Sequence, residues 1–355
     1  MKEINIFAEI KGIKYKPLLC KELNTINFNY IDTALQKDAS FILKIDQNQI
    51  GLSWWVSPKR TRSYPYARVY DTLGFSGKRA TIIPLIKDEG KDGDRDFLQW
   101  DTVSLMSLLG VYTIISYYID ASKSSGYRNK ITDQKFDINH IKEEIKRLID
   151  FQSDALHWNL LQLNNIREIG QRALECYKLI SKKLNVEMHS WKSAERRITQ
   201  FLKDKEIFMS YSRELASKAQ KRERITAQPK EQLRGIKGAL TIKNYLGGYY
   251  YFTCDEVEIH GKNLYLIEGK HSRTKTLPSL EDIKDGLLRM ILYTNLENVE
   301  IDNKKYNPVP ILKLTTSMKF DVTSLKEKER QILELLKREA IINKFRILIN
   351  DEFIA

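Results

Sequence analysis

Leu264-Tyr265-Leu266-Ile267-Glu268-Gly269-Lys270-His271 is an apolar run that closes on alternating charge. Its composition predicts a strand, and Glu268 and Lys270, two residues apart, fall on the same strand face. Charges at the end of such a strand are costly to bury unless they are exposed or functional. Upstream, beyond the turn at His260-Gly261-Lys262, Gly247 and Gly248 introduce Tyr249-Tyr250-Tyr251-Phe252-Thr253, followed by Cys254-Asp255-Glu256-Val257-Glu258-Ile259. This is a second run of strand formers. A hairpin of the two brings an acidic residue toward Glu268. Asp255 alternates with Val257 and Ile259, Glu256 alternates with Glu258, and a bulge would exchange them. Asp255 is the preferred partner and Glu256 the fallback.

Downstream, Pro278-Ser279-Leu280-Glu281-Asp282 signals a helix start, with Ser279 as the cap and Asp282 placed to reach back to it. Leu280, Ile283, Leu287 and Met290 form its apolar face. A strand from Val309 to Thr315 and a helix from Ser324 and Glu327 to about Phe345 complete the order strand, strand, helix, strand, helix.

Two carboxylates converging from neighbouring strands suit Mg²⁺, which prefers oxygen ligands and keeps part of its water shell. A bound ion acidifies water and polarises a phosphate, and a lysine on the same face orients the water or offsets developing negative charge. Asp255 followed by Glu268-Gly269-Lys270 resembles the signature of the PD-(D/E)xK nuclease superfamily, which includes many type II restriction endonucleases. Thr253-Cys254 stand where a proline is often seen. Leu277 to Leu288 is also similar to the segment after the catalytic strand in some restriction enzymes. The resemblance covers residues 240 to 345 or so. It implies a mixed sheet flanked by helices and Mg²⁺-dependent hydrolysis of double-stranded DNA at a specific sequence, leaving 5′-phosphates. Asp255 and Glu268 would hold the metal and Lys270 would assist the attacking water. Glu214 is a further acidic candidate, weighed against an ordinary exposed helical glutamate, and His271 reads as a neighbour of the site.

For the chain as a whole, the fold class is α/β, mixed α+β overall, in three segments. Residues 1–130 form a mixed α/β region suited to DNA recognition, with strands at Phe41–Ile45 and Ala80–Ile86 and a helix expected over Trp100–Ala121. Residues 131–235 read as helical, a bridge or dimerisation element, with apolar stripes such as Ile141, Ile145, Leu148 and Ile149. Residues 236–355 hold the nuclease-like core. The acidic stretch from Asp88 to Asp96 reads as a turn, and His157-Trp158-Asn159 as packing with a satisfied polar contact.

The formal charge of +13 and a pI near 9.3 favour a polyanionic partner. Lys59, Arg60, Arg62 and Arg68 interleave with tyrosines, and Lys221, Arg222 and Arg224 precede the core; Lys284 and Arg289 lie on the helix after the catalytic strand. All are candidate DNA contacts. The longest apolar stretch, Val111 to Ile119, is too short to span a bilayer. Three scattered cysteines, Cys20, Cys176 and Cys254, suit a reducing, cytoplasmic setting. A palindromic target would suit a homodimer. The alternatives are a nuclease of repair or phage defence without a fixed target, and a non-catalytic DNA-binding protein on a nuclease-like scaffold.

Overall fold

The computed structural model describes residues 4–59, 63–202, 236–244, 249–274, 276–318, 320–350 and 352–354. Mixed α/β character is borne out. The chain divides into two compact units rather than three consecutive segments: Leu23–Ser212 is inserted within a unit made of Met1–Glu22 and Arg213–Ala355.

Strand β1 (Ile4–Ile10) opens the chain and belongs to the split unit. The inserted unit begins with β2 (Thr25–Asn27), α1 (Ile31–Lys37), β3 (Ser40–Ile45), β4 (Asn48–Trp54) and α2 (Ser63–Thr72). Next come β5 (Lys78–Pro84), a hairpin of β6 (Ile86–Asp88) and β7 (Arg95–Phe97), α3 (Trp100–Leu108) and β8 (Val111–Ser116). A second hairpin, β9 (Tyr118–Lys123) and β10 (Ile131–Phe136), leads to α4 (Ile138–Asp150), α5 (Ala155–Asn164), α6 (Ile166–Leu184) and α7 (Trp191–Leu202). The main sheet has the order β2-β3-β4-β5-β8, with β4, β5 and β8 parallel. Helices α4 and α5 pack against β8, and α6 against β9, so they cover the sheets of the preceding segment rather than forming a separate bridge.

The helix expected over Trp100–Ala121 stops at Leu108. Gly110 takes φ +65°, which ends the helix, and Val111-Tyr112-Thr113-Ile114-Ile115 becomes the buried strand β8. An apolar run of this kind reads as helix or strand until its neighbours decide. Here α5 decides, because it satisfies the free edge of β8. Trp158 Nε1 donates to the Thr113 carbonyl at 2.7 Å, and Asn159 Oδ1 accepts from Thr113 N at 2.7 Å. Asn159 Nδ2 donates to Val111 O, and Gln162 Oε1 accepts from Ile115 N. Side chains thus take the place of a missing strand. The polar-contact reading of the Trp158-Asn159 pair holds.

In the split unit β11 (Ile236–Asn244), β12 (Tyr249–His260) and β13 (Asn263–Ser272) form a meander, followed by α8 (Leu280–Tyr293). Then come β14 (Glu297–Ile301), β15 (Lys304–Lys305), β16 (Asn307–Thr316), α9 (Glu327–Asn343), β17 (Arg346–Ile349) and β18 (Glu352–Phe353). Among the described residues nine strands share one sheet, in the order β15-β14-β1-β11-β12-β13-β16-β17-β18. β13, β16 and β17 are parallel neighbours, and α8 packs on β13 and β16. The expected order of strand, strand, helix, strand, helix is present, with Ser279 capping α8 through the N–H of Asp282. The N-terminal segment is tied to the same unit. Fully buried Glu339 of α9 accepts from the Tyr15 hydroxyl and from the backbone N–H groups of Leu18 and Leu19.

Candidate active site

Strand register decides which carboxylate of β12 meets Glu268. Against β13 the ladder runs regularly through Ile259↔Leu264, Val257↔Leu266 and Glu256↔Ile267. Opposed residues share a sheet face, so Val257 lies with Leu266, Glu268 and Lys270, whereas Glu256 lies with Ile267. Against β11 the register slips, from Gly238↔Cys254 to Ile236↔Val257, so β12 holds one extra residue between Cys254 and Val257. This is a bulge at Asp255-Glu256. It does not exchange the two acids. One step past the last β13 pair, Asp255 turns its carboxylate to Gly269, whose backbone N–H donates to Oδ2 at 2.9 Å. Glu256 is buried on the other face, 3.8 Å from the ammonium of Lys313.

Glu268 is 4 % exposed, and Lys270 Nζ stands 3.0 Å from its Oε1. Asp285, from α8, holds the same ammonium at 2.5 Å. Arg289, one helical turn further, places Nε 3.9 Å from Glu268 Oε1 and lays its guanidinium over the Phe252 ring. Burial is the main cause that pushes the Glu268 carboxyl up to about 7. The charge of Asp255 adds to it, and Lys270 and Arg289 oppose it. For Lys270 burial works against the charged form, but the carboxylates of Asp285, Glu268 and Asp255 outweigh it and keep the ammonium protonated. Cys254 beside the site is fully buried, and burial raises its thiol, so it serves as a small apolar residue.

The hairpin and α8 therefore bring together Asp255, Glu268 and Lys270, and add Asp285 and Arg289. Asp285 was not singled out from sequence, and Arg289 only as a DNA contact. The signal for both was present: two charged residues four apart on a helix that is otherwise largely buried. His271 alternates away from Lys270 and is bonded to Thr315 and Ser317, a neighbour of the site rather than part of it.

Three carboxylates, Asp255, Glu268 and Asp285, thus meet two cations, Lys270 and Arg289. An added cation would offset the negative charge of Asp255, which adds to burial in raising Glu268. Among the described residues no group of three or more His, Cys, Asp or Glu side chains, these three carboxylates included, is placed to hold a metal ion together. An ion here would rest on Asp255 and Glu268 and complete its shell with water and substrate oxygens, which fits the habits of Mg²⁺. Glu214 lies outside the described residues.

Of the candidate DNA contacts, Arg60, Arg62, Lys221, Arg222 and Arg224 also lie outside the described residues. Lys284 is corrected: it is 4 % exposed, because nearly every face of α8 is covered, and it does not present its charge at the surface. Arg68 lines a cavity of about 210 Å³ in the inserted unit, beyond the carboxyl ends of β4 and β5, together with Lys87, Glu89, Asp94 and Asp96, and Lys59 reaches it through its pairs with those two aspartates. Arg68 is held by the Trp54 carbonyl and by the Trp54 and Tyr64 rings. Lys59 pairs with Asp94 and Asp96, and Asp96 also accepts from Ser57. The acidic stretch forms the β6–β7 hairpin: its middle is the expected turn, while Asp88 and Asp96 lie in the paired strands, with Asp88 bound to His189 and Glu89 to Lys87 and Lys130. All three cysteines are free, and among the described residues no helix is long and apolar enough to cross a membrane.

Comparison with known protein families, curated proteins and solved structures finds no match.

Proposed function

We propose that the split unit is a Mg²⁺-dependent deoxyribonuclease centre and that the chain acts as an endonuclease of the type II restriction kind on double-stranded DNA. The observation that carries this reading is the meeting of Asp255, bonded to the Gly269 N–H, with the Glu268–Lys270 pair at the end of the β12–β13 ladder, while Glu256 pairs with Lys313 on the other face. Asp255 and Glu268 would hold the ion, which supplies an acidified water and polarises the scissile phosphate. Lys270 orients that water and offsets charge as its oxygen bonds to phosphorus. The phosphorus–O3′ bond breaks, the 3′-oxygen takes a proton, and the phosphate stays on the 5′ end. Arg289, held over Phe252, adds positive charge beside Glu268. Target recognition is assigned to the inserted unit on the strength of Arg68 and Lys87 in the cavity there, with the overall charge of +13 favouring DNA.

The test is incubation of pure protein with unmethylated phage DNA. Discrete fragments with 5′-phosphate ends, formed with Mg²⁺ and absent with a chelator, are expected. A smear would replace the fixed target by a nuclease of broader action. Intact DNA under all conditions overturns the proposal.

A further inference from the structure

We infer that Asp285 is the positioning residue for Lys270, drawing the ammonium off Glu268 so that the Glu268 carboxylate can turn to a divalent cation; this rests on the nuclease reading of the site. Lys270 and the cation have competing claims on Glu268. If the ammonium had only that carboxylate to pair with, ion binding would leave a buried ammonium without a counter-charge, at considerable cost. Asp285 removes the conflict. Its carboxylate holds Nζ more closely than Glu268 does, at 2.5 Å against 3.0 Å, and is itself mostly buried.

Asp285 also comes from a different layer. Asp255 and Glu268 project from the sheet, whereas Asp285 projects from α8, which packs over β13 and β16. The next residue, Gly286, explains the close approach. A Cβ there would lie 2.6 Å from Leu312 Cδ1 and 3.4 Å from both Cγ and Cε of Lys270. The helix backbone thus rests on the lysine stem, and the short Asp285 side chain spans the remaining distance. Buried Ile283, Leu287, Met290 and Ile291 fix the helix in that place. The lysine is held from above and the metal carboxylates are left to the sheet.

The test is calorimetric titration of the full chain with Mg²⁺. Asp285→Asn is expected to weaken Mg²⁺ binding about tenfold, because Lys270 then neutralises Glu268 alone. In a Lys270→Met background the same substitution is expected to change affinity less than about threefold, since the residue acts through the lysine. Asp285→Glu is expected to recover most of the loss. An equal loss in both backgrounds would make Asp285 a ligand of the ion and overturn the positioning role. Unchanged affinity in Asp285→Asn, or no recovery in Asp285→Glu, would also overturn it while leaving the metal site standing. A wild-type chain that binds no Mg²⁺ removes the nuclease reading, and the positioning role with it.

Discussion

Gly269 donates its backbone N–H to Oδ2 of Asp255 across 2.9 Å, so the first carboxylate of the site is fastened to the residue that joins Glu268 to Lys270. The bond stands where the β12–β13 ladder ends, and it lets a bulged strand keep Asp255 beside Glu268. Glu256, the next residue, belongs to a different environment. Asp255→Asn is therefore expected to lower the cleavage rate by about 10²-fold or more, since a preorganised charged group at the reacting centre is lost. Glu256→Gln should leave cleavage within a few-fold of wild type and instead lower stability by about 1–3 kcal/mol, because Lys313 loses a buried counter-charge. Single-turnover cleavage and urea unfolding separate the two outcomes.

Glu268 gives a pH signature to the metal-free protein. Its carboxyl is raised from the ordinary 4.5 to about 7, so the folded chain binds this proton more tightly than the unfolded chain does. Stability is therefore expected to fall as pH rises from about 4.5 through about 7 and to level off above. In chelator, Glu268→Gln should flatten that slope and raise the unfolding temperature at pH 8, where the wild type carries the full cost. Mg²⁺ should stabilise the wild type at pH 8 and leave Glu268→Gln unmoved. Thermal unfolding at pH 5 and pH 8, with and without Mg²⁺, checks both signs.

Gly286→Ala tests the packing of α8 on the sheet. The added methyl would lie 2.6 Å from Leu312 Cδ1 and against the stem of Lys270, so the helix must shift. A loss of about 1–3 kcal/mol is expected from the overpacking. Cleavage should fall with it, because the shift carries Asp285 and Arg289 away from Lys270 and Glu268. Retained stability with full activity would contradict the close fit of α8 over Lys270 and Leu312.

In the inserted unit, Asn159→Leu removes the acceptor for Thr113 N and the donor to Val111 O. Two buried backbone groups of β8 then lose their partner, at a cost of about 2–4 kcal/mol together. Denaturant unfolding followed by tryptophan fluorescence measures it, and a change below about 0.5 kcal/mol would show that the edge of β8 is satisfied in another way.

Local pattern made much of the site readable in advance. The alternation of Glu268 and Lys270 on an apolar strand, the turn at Gly261 and the cap at Ser279 are short-range features, and each is present. What needed the structure depended on contacts distant in sequence. Strand β1 is not among the strands read from sequence, and its parallel pairing with β11, more than 200 residues away, leaves no trace in spacing. That Asp255 rather than Glu256 meets Glu268 was settled by the regular ladder with β13, because the bulge that could have exchanged them affects only the β11 side of β12. Asp285 and Arg289 sit on a helix whose position over the lysine follows from packing at Gly286, and Val111–Ser116 turned from helix to strand because α5 supplies partners for its edge.

The most direct test of the nuclease centre is cleavage of unmethylated double-stranded DNA in Mg²⁺ by the wild-type chain beside Glu268→Ala and Lys270→Ala, each first shown by circular dichroism to be folded. Mg²⁺-dependent cleavage by the wild type and its loss in both variants is the predicted result. Cleavage that persists at the wild-type rate in either folded variant would contradict it.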